Sequence, residues 1–302
     1  MPAAIDPPAS REPAPDSAAP IREEGRAKVN LALHVTGRRA DGYHELDTLV
    51  VFPPFGDLLE VRPGAGLSLS VSGPFAADLG PADDNLVMRA ATALQAAFQV
   101  QHGAALSLEK RLPVASGIGG GSADAAAALR ALSRLWRLDA RDPRIAEIAA
   151  RLGADVPMCL ASRPLRASGI GDVLSPVANL PAAGLVLVNP RVAVATPAIF
   201  KTLKTRENPP LGDLPGFANT SALTDWLATT RNDLQSPALE TSPVIADVLE
   251  ALEALPGSLL ARMSGSGASC FALFADTTMA KAAAGALAAA RPDWWICQTE
   301  VR

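Results

Sequence analysis

With 302 residues and about 150 residues per compact domain, the chain has room for two domains, and a hydrophobic share of 49% can fill both cores. A formal charge of −4, with 19% charged residues, leaves no surplus of lysine and arginine to neutralise a run of phosphates, which argues against a nucleic-acid partner. Cys159, Cys270 and Cys297 are odd in number and never form C-x-x-C, which argues against a disulfide framework or a cysteine zinc site and for a reducing compartment, the cytoplasm. No apolar run reaches the length of about 18 residues that a membrane helix needs.

Residues 1–25 hold six prolines, six alanines and five acidic residues. With no apolar core they resemble neither a signal peptide nor a transit peptide, and composition predicts a disordered tail. From residue 26 the pattern changes. Val29, Leu31, Leu33 and Val35 alternate with Lys28, Asn30, Ala32 and His34, the period-two signature of a strand with one buried face, so Lys28 and Asn30 are expected to share the other. His34, deeper in the strand, is expected to be structural. Further strands are predicted over 49–52, 58–61 and 67–71, a helix over 85–98, a strand over 106–112, and a strongly helical segment over 123–136 behind a glycine-rich loop. A helix over 145–152 is expected to end on Gly153 as a left-handed cap. After a strand over 185–188, residues 204–220 are rich in Pro, Gly and Asn and read as a loop, with two helices and two strands beyond it. The domains are expected to span 26–180 and 181–302.

Four segments carry chemistry. In Pro113-Val-Ala-Ser-Gly-Ile-Gly-Gly-Gly-Ser122, Gly117, Gly119, Gly120 and Gly121 precede a helix. Their amides can form an anion nest reinforced by the helix N-terminus, which fits a polyphosphate. The spacing is neither Walker A nor a dinucleotide fingerprint, and a flexible loop capped by Ser122 is the alternative. Met263-Ser-Gly-Ser-Gly-Ala-Ser269 reads on its own as a hairpin turn. In the strand segment, Lys28 and Asn30 could converge on one hydroxyl, although a lone lysine there is more often solvated. Asp41-Gly42 marks a turn that puts Tyr43 and His44 on a loop suited to a planar group. In Gly153-Ala-Asp-Val-Pro157, Asp155 could cap the next turn or accept a proton from an attacking alcohol.

Together and in this order, the lysine strand, the P-x-x-x-G-x-G-G-G-S-A loop, Gly-Ala-Asp-Val-Pro and the late Gly-Ser-Gly-Ala-Ser resemble the GHMP small-molecule kinases. Ala-Lys-Val-Asn-Leu, Arg-Ala-Asp-Gly-Tyr-His, Lys-Arg-Leu-Pro and Thr-Pro-Ala-Ile-Phe are similar to the branch acting on cytidine diphosphate methylerythritol. The resemblance runs from about residue 26 to near the C-terminus. Residues 1–25 have no counterpart in it, and Ser168 stands where a bulkier polar or charged residue is usual.

This resemblance implies an α+β, two-domain GHMP kinase fold, each domain a mixed or antiparallel sheet packed with helices. It implies transfer of the ATP γ-phosphoryl group to the 2-hydroxyl of a small-molecule substrate, cytidine diphosphate methylerythritol, with Mg2+ as companion ion and no protein metal ligand assigned. Asp155 would be the general base and Lys28 its partner; Asn30 would orient the erythritol end. Asn85, Leu86 and Lys110 would contact the adenosine, and the loop from Pro113 through Gly117, Gly119, Gly120 and Gly121 to Ser122 would hold the phosphates. Tyr43 and Phe200, the latter in the segment starting at Thr196, would sandwich the cytosine while His44 reads its edge. A family member with another acceptor, or a nucleotide-binding regulator without turnover, remains open at this level.

Overall fold

A computed structural model describes residues 19–80 and 84–301. In chain order the strands and helices are β1 (Ile21–Arg26), β2 (Val29–Arg38), β3 (His44–Val51), β4 (Gly56–Gly64), β5 (Leu67–Ser72), α1 (Leu86–Ala97), β6 (Gly103–Glu109), α2 (Gly120–Leu135), α3 (Pro143–Leu152), α4 (Val156–Ala161), β7 (Leu165–Gly169) and β8 (Val173–Pro176). Then follow β9 (Ala183–Asn189), α5 (Thr196–Thr202), α6 (Thr220–Ala228), α7 (Gln235–Thr241), α8 (Val244–Glu253), β10 (Leu260–Met263), β11 (Cys270–Phe274), α9 (Thr277–Ala290) and β12 (Trp295–Val301).

The strands form three sheets, ordered β1-β4-β6-β5, β2-β3-β7-β8 and β10-β11-β9-β12. The β5–β6 pair is parallel and the other pairings are antiparallel. Helices cover the sheets, so the architecture is α+β, with mixed or antiparallel sheets packed by helices. Alanine decides how closely α2 approaches its neighbours. Ala123 and Ala125–Ala128 are all buried, and side chains this small let the helix lie tight against β1 and β4 while keeping high helix propensity. The flanking helices start on side-chain caps: the Asn85 carboxamide oxygen accepts from the Val87 N–H, and the Asp142 carboxylate from that of Arg144, one residue after Pro143.

Several expectations need correction. Residues 21–25, assigned to the tail by composition, are the body of β1, which pairs with β4 from Ile21 opposite Val61 to Arg26 opposite Gly56; residues 1–18 of that tail lie outside the described residues. Strand β2 is buried on both faces, with everything from Ala27 to Val35 covered. The simple alternation fails because Leu31 is an extra residue, a bulge between the Asn30–Val50 and Ala32–Leu49 pairs that shifts the period by one. Around that bulge Val29 and Leu31 enter a core shared with Leu187 and Phe271, whereas Leu33 and Val35 pack with Val186 and Ile245. Strand β6 stops at Glu109 rather than at 112. Helix α2 begins at Gly120, so the last two glycines and Ser122 belong to its first turn. Gly153 is extended, with φ 164°, and is not a left-handed cap. Beyond residue 220 lie four helices and three strands rather than two of each: α7 is short and β10 has only four residues, too little for periodicity to register.

Candidate active site

The three sheets bring β2, the glycine loop, the start of α4 and the late hairpin turn together around a cavity of about 290 Å3. Lys28 sits just before β2, and its N–H donates to the Ile118 carbonyl in the glycine loop. Its ammonium donates to the Asp155 carboxylate at 2.9 Å. The two side chains are 8% and 39% exposed, so the lysine is sheathed while the carboxylate faces the opening. Asp155 occupies the N-cap position of α4, yet its side chain makes no cap hydrogen bond. The carboxylate is thus tied to Lys28 rather than to the turn that follows it.

Each glycine does something different. Gly117 has φ +77°, and a Cβ there would strike the backbone of Ser264 and Gly267, so the loop and the hairpin turn fit only without side chains. Gly119, at φ +67°, is the N-cap of α2, and a Cβ would press on the Lys28 stem at 3.2 Å. Gly120 and Gly121 are helical, and both line the cavity with their amides at the start of the 16-residue α2. A backbone of this kind can receive an anion. The Met263–Ser269 segment is the hairpin turn expected from its sequence, since Met263 pairs with Cys270. It also walls the cavity through Gly265 and Ser266. The Ser264 hydroxyl donates to the Gly117 carbonyl, and the Ser269 N–H to that of Ser116.

Lys28, Asp155, Leu86, Gly117, Gly119–Gly121, Ser122, Thr196 and Phe200, all singled out from sequence, line this one cavity. Thr196 opens α5, and its hydroxyl lies 2.7 Å from that of Ser266. Other candidates stand elsewhere. Asn30 is buried, donates to the Thr48 hydroxyl at 2.8 Å, and keeps its carboxamide oxygen without a partner. Asn85 caps α1. The Pro113 carbonyl accepts from the Ser116 hydroxyl, which closes the turn leading into the loop.

Lys110, expected beside adenosine, has its ammonium held between the Asp57 and Asp124 carboxylates, with the residue 1% exposed. Burial would depress its pKa, but the two carboxylates outweigh that and raise it. It is a buried cation beneath the loop and does not face the cavity. Sequence reasoning missed Asp57 because it lies 53 residues away in β4; Asp124, in the Ser-Ala-Asp that ends the glycine motif, was within reach.

The His44 ring stacks on that of Phe200, at 4.8 Å between centroids and 25° between planes, whereas the expectation set Phe200 and Tyr43 on either side of a cytosine. Tyr43 is 59% exposed, and its N–H donates to the Asp41 carboxylate. The His44 pKa is lowered, first by burial and then by Arg38 and Arg206. Its imidazole is therefore neutral, and Nε2 is buried with no partner. His34 is structural, as expected: Nδ1 lies 2.9 Å from the Pro209 carbonyl and Nε2 accepts the Arg231 N–H, which assigns the proton to Nδ1.

No helix among the described residues is long and apolar enough to cross a membrane. Residues 85–163 match the GHMP kinases N terminal domain and residues 217–293 the GHMP kinases C terminal domain. A 4-diphosphocytidyl-2-C-methyl-D-erythritol kinase of Cereibacter sphaeroides is 56% identical over 90% of this chain and 95% of its own. One from Ruegeria pomeroyi is 55% identical over 91% and 97%. The crystal structure of a 4-(cytidine 5'-diphospho)-2C-methyl-D-erythritol kinase superposes with a TM-score of 0.77 at 35% identity, covering 93% of this chain and 98% of that one. The chain belongs to the 4-diphosphocytidyl-2-C-methyl-D-erythritol kinase family of GHMP kinases.

Proposed function

We propose that the chain transfers the γ-phosphoryl group of ATP to the 2-hydroxyl of 4-diphosphocytidyl-2-C-methyl-D-erythritol, with Asp155 as the general base and Lys28 as its electrostatic partner. The observation that carries this reading is the Lys28–Asp155 ion pair on the wall of the cavity that the glycine loop also lines. The Asp155 carboxylate takes the proton of the attacking hydroxyl as the oxygen–phosphorus bond forms. The bond from the γ-phosphorus to the bridging oxygen breaks, and ADP leaves. Lys28 donates into the charge that builds on the transferred group. The amides of Gly119 to Ser122 hold the phosphates of ATP, and Leu86 borders the adenosine side.

Magnesium, the usual companion of ATP in phosphoryl transfer, neutralises phosphate charge when bound. Among the described residues no group of three or more His, Cys, Asp or Glu side chains comes together, and magnesium on a nucleotide needs no such cage, since phosphate oxygens and water fill most of its shell. The cytidine end belongs at His44, Phe200 and the exposed Tyr43, with Asn30 behind the erythritol end. The three cysteines are free and buried, in keeping with a cytoplasmic protein.

An assay of ADP release tests the reading. The cytidine substrate should support turnover, and mevalonate and homoserine should not. Equal rates with all three alcohols would return the chain to the wider kinase family.

A further inference from the structure

The mechanism leaves one buried ionisable cluster unused. Lys110, Asp57 and Asp124 are 1%, 0% and 3% exposed, and together they set one cation against two carboxyl groups. Their surroundings are unequal. The Asp57 carboxylate accepts from the Lys110 ammonium and from the backbone N–H groups of Arg111 and Leu112. Asp124 accepts from Lys110 alone, at 2.7 Å, and its Oδ1 is buried with no donor. Two like charges on one ammonium, one of them with a bare oxygen in a dry site, cannot both be sustained.

Among the described residues no second cation is hydrogen-bonded to Asp124, and Arg130, further along α2, is engaged by Glu23 and by the Glu24 and Cys159 carbonyls. Strand β1 passes at Gly25, where a Cβ would stand 2.9 Å from Asp124 Oδ1. Helix α4 contributes Cys159, which burial keeps a thiol. Arg111 nearby is engaged by Glu109. Burial raises the Asp124 pKa against the opposing pull of Lys110, and Asp57, within hydrogen-bond reach, raises it further.

We propose that Asp124 is a positioning residue that works as a neutral acid: it holds a proton directed at Asp57, so that the Asp57–Lys110–Asp124 cluster carries no net charge beneath the phosphate loop. The site matters because a Cβ on Gly120 would lie 3.4 Å from the Lys110 ammonium, directly under the first turn of α2. A net negative charge there would oppose the incoming triphosphate and cancel the helix dipole. Asp57, meanwhile, fixes the backbone that enters the loop. This inference rests on the loop's role in holding ATP phosphates.

The sign of the pH dependence follows. The folded-state value of Asp124 is raised, so its contribution to stability and to ATP binding is complete at low pH and is lost as pH rises through that value. The test is equilibrium binding of MgATP without acceptor, from acid to alkaline pH, in wild type, D124N, D124A and D57N. Asn keeps the shape of the protonated acid and supplies an acceptor oxygen and a donor group that no rise in pH removes. D124N is expected to bind ATP as wild type does at neutral pH but to lose the alkaline decline, and D124A to weaken binding. D57N, which sets an amide against three donors, should weaken it by about tenfold or more. The infrared band of a protonated carboxylic acid should be present in wild type and absent in D124N. Loss of ATP binding in D124N equal to that in D57N, or the absence of that band, would overturn the proposal. If Gly121→Val left ATP binding intact, the phosphate-loop reading would fail instead, while the infrared band would still report the proton.

Discussion

The Lys28–Asp155 ion pair has members of unequal exposure. Lys28 is almost covered and Asp155 is not, so the lysine stays fixed while the carboxylate can reach a bound alcohol. Asp155→Asn should lower kcat by about 10²- to 10⁴-fold and leave ATP affinity unchanged, because the amide cannot take the hydroxyl proton and the glycine loop is untouched. Single-turnover kinetics with an ATP titration checks this; near-normal turnover would remove Asp155 from the mechanism. His44 carries a second prediction. Its neutral imidazole has an unpartnered Nε2, so it can recognise the edge of a pyrimidine, and His44→Ala should erode the preference for the cytidine substrate over its uridine analogue. Mismatched buried groups cost about 1 to 3 kcal/mol each. Because the folded-state value is lowered, recognition is complete above the ordinary histidine value and fails as pH falls through the folded one. A KM for the cytidine substrate that does not move with falling pH would count against this role. Residue type and position drew attention to Lys28 and Asp155 in the sequence, whereas Thr196 and Phe200 came only with the resemblance to the family. The partner that holds the Lys110 ammonium was not legible, because no local pattern connects Asp57 to it.

At the scale of elements, the loop–helix junction was legible in kind but not in its boundary. Glycine has low helix propensity, so the sequence pattern starts the helix at Ala123, whereas the structure starts it at Gly120 because the sheet beneath and Lys110 hold that turn. Gly119, like Gly117, resists a side chain. In its left-handed conformation any side chain costs about 1 to 2 kcal/mol, and a Cβ would push on Lys28. Gly119→Ala should therefore raise the KM for ATP and lower kcat together, measured in the same ADP-release assay; a change in KM alone would show that Lys28 had not moved. Strand β1 was hidden by the composition around it. Its strand character comes from β4, and from Glu23, whose carboxylate takes Arg130 and Arg134 of α2. Deleting residues 19–26 should expose the edge of β4 and uncover α2. The expected result is a lower Tm and a tendency to associate, since an unpaired edge recruits other strands. A monomeric variant with the wild-type Tm would show β1 to be dispensable.

Across the whole molecule, one buried arginine ties together the parts that form the cavity. Arg262 in β10 is 7% exposed and donates to the carbonyls of Leu31, Leu227 and Thr230 and to the Thr230 hydroxyl. Leu31 is the extra residue of the β2 bulge, Leu227 is in the last turn of α6 and Thr230 follows its C-cap, so the cation meets the negative end of the helix dipole. Burial lowers the Arg262 pKa to about 10, so the charge is held at a desolvation cost that these four bonds must offset. The same strand continues into the turn that packs on Gly117, and β2 begins beside Lys28. Arg262 thus links the strand leading into the turn that supports the glycine loop to the strand that follows Lys28. Arg262→Met fills the space but leaves the carbonyls dry, at about 1 to 3 kcal/mol for each. It should lower Tm clearly and reduce kcat without touching a substrate-binding group. Arg262→Lys should recover only part of the loss, because an ammonium cannot present the planar fork that reaches acceptors on β2 and α6 at once. If Arg262→Met unfolds at the wild-type Tm, water must reach those carbonyls, and packing with the bonds from Ser264 and Ser269 to the glycine loop suffices to hold the cavity together.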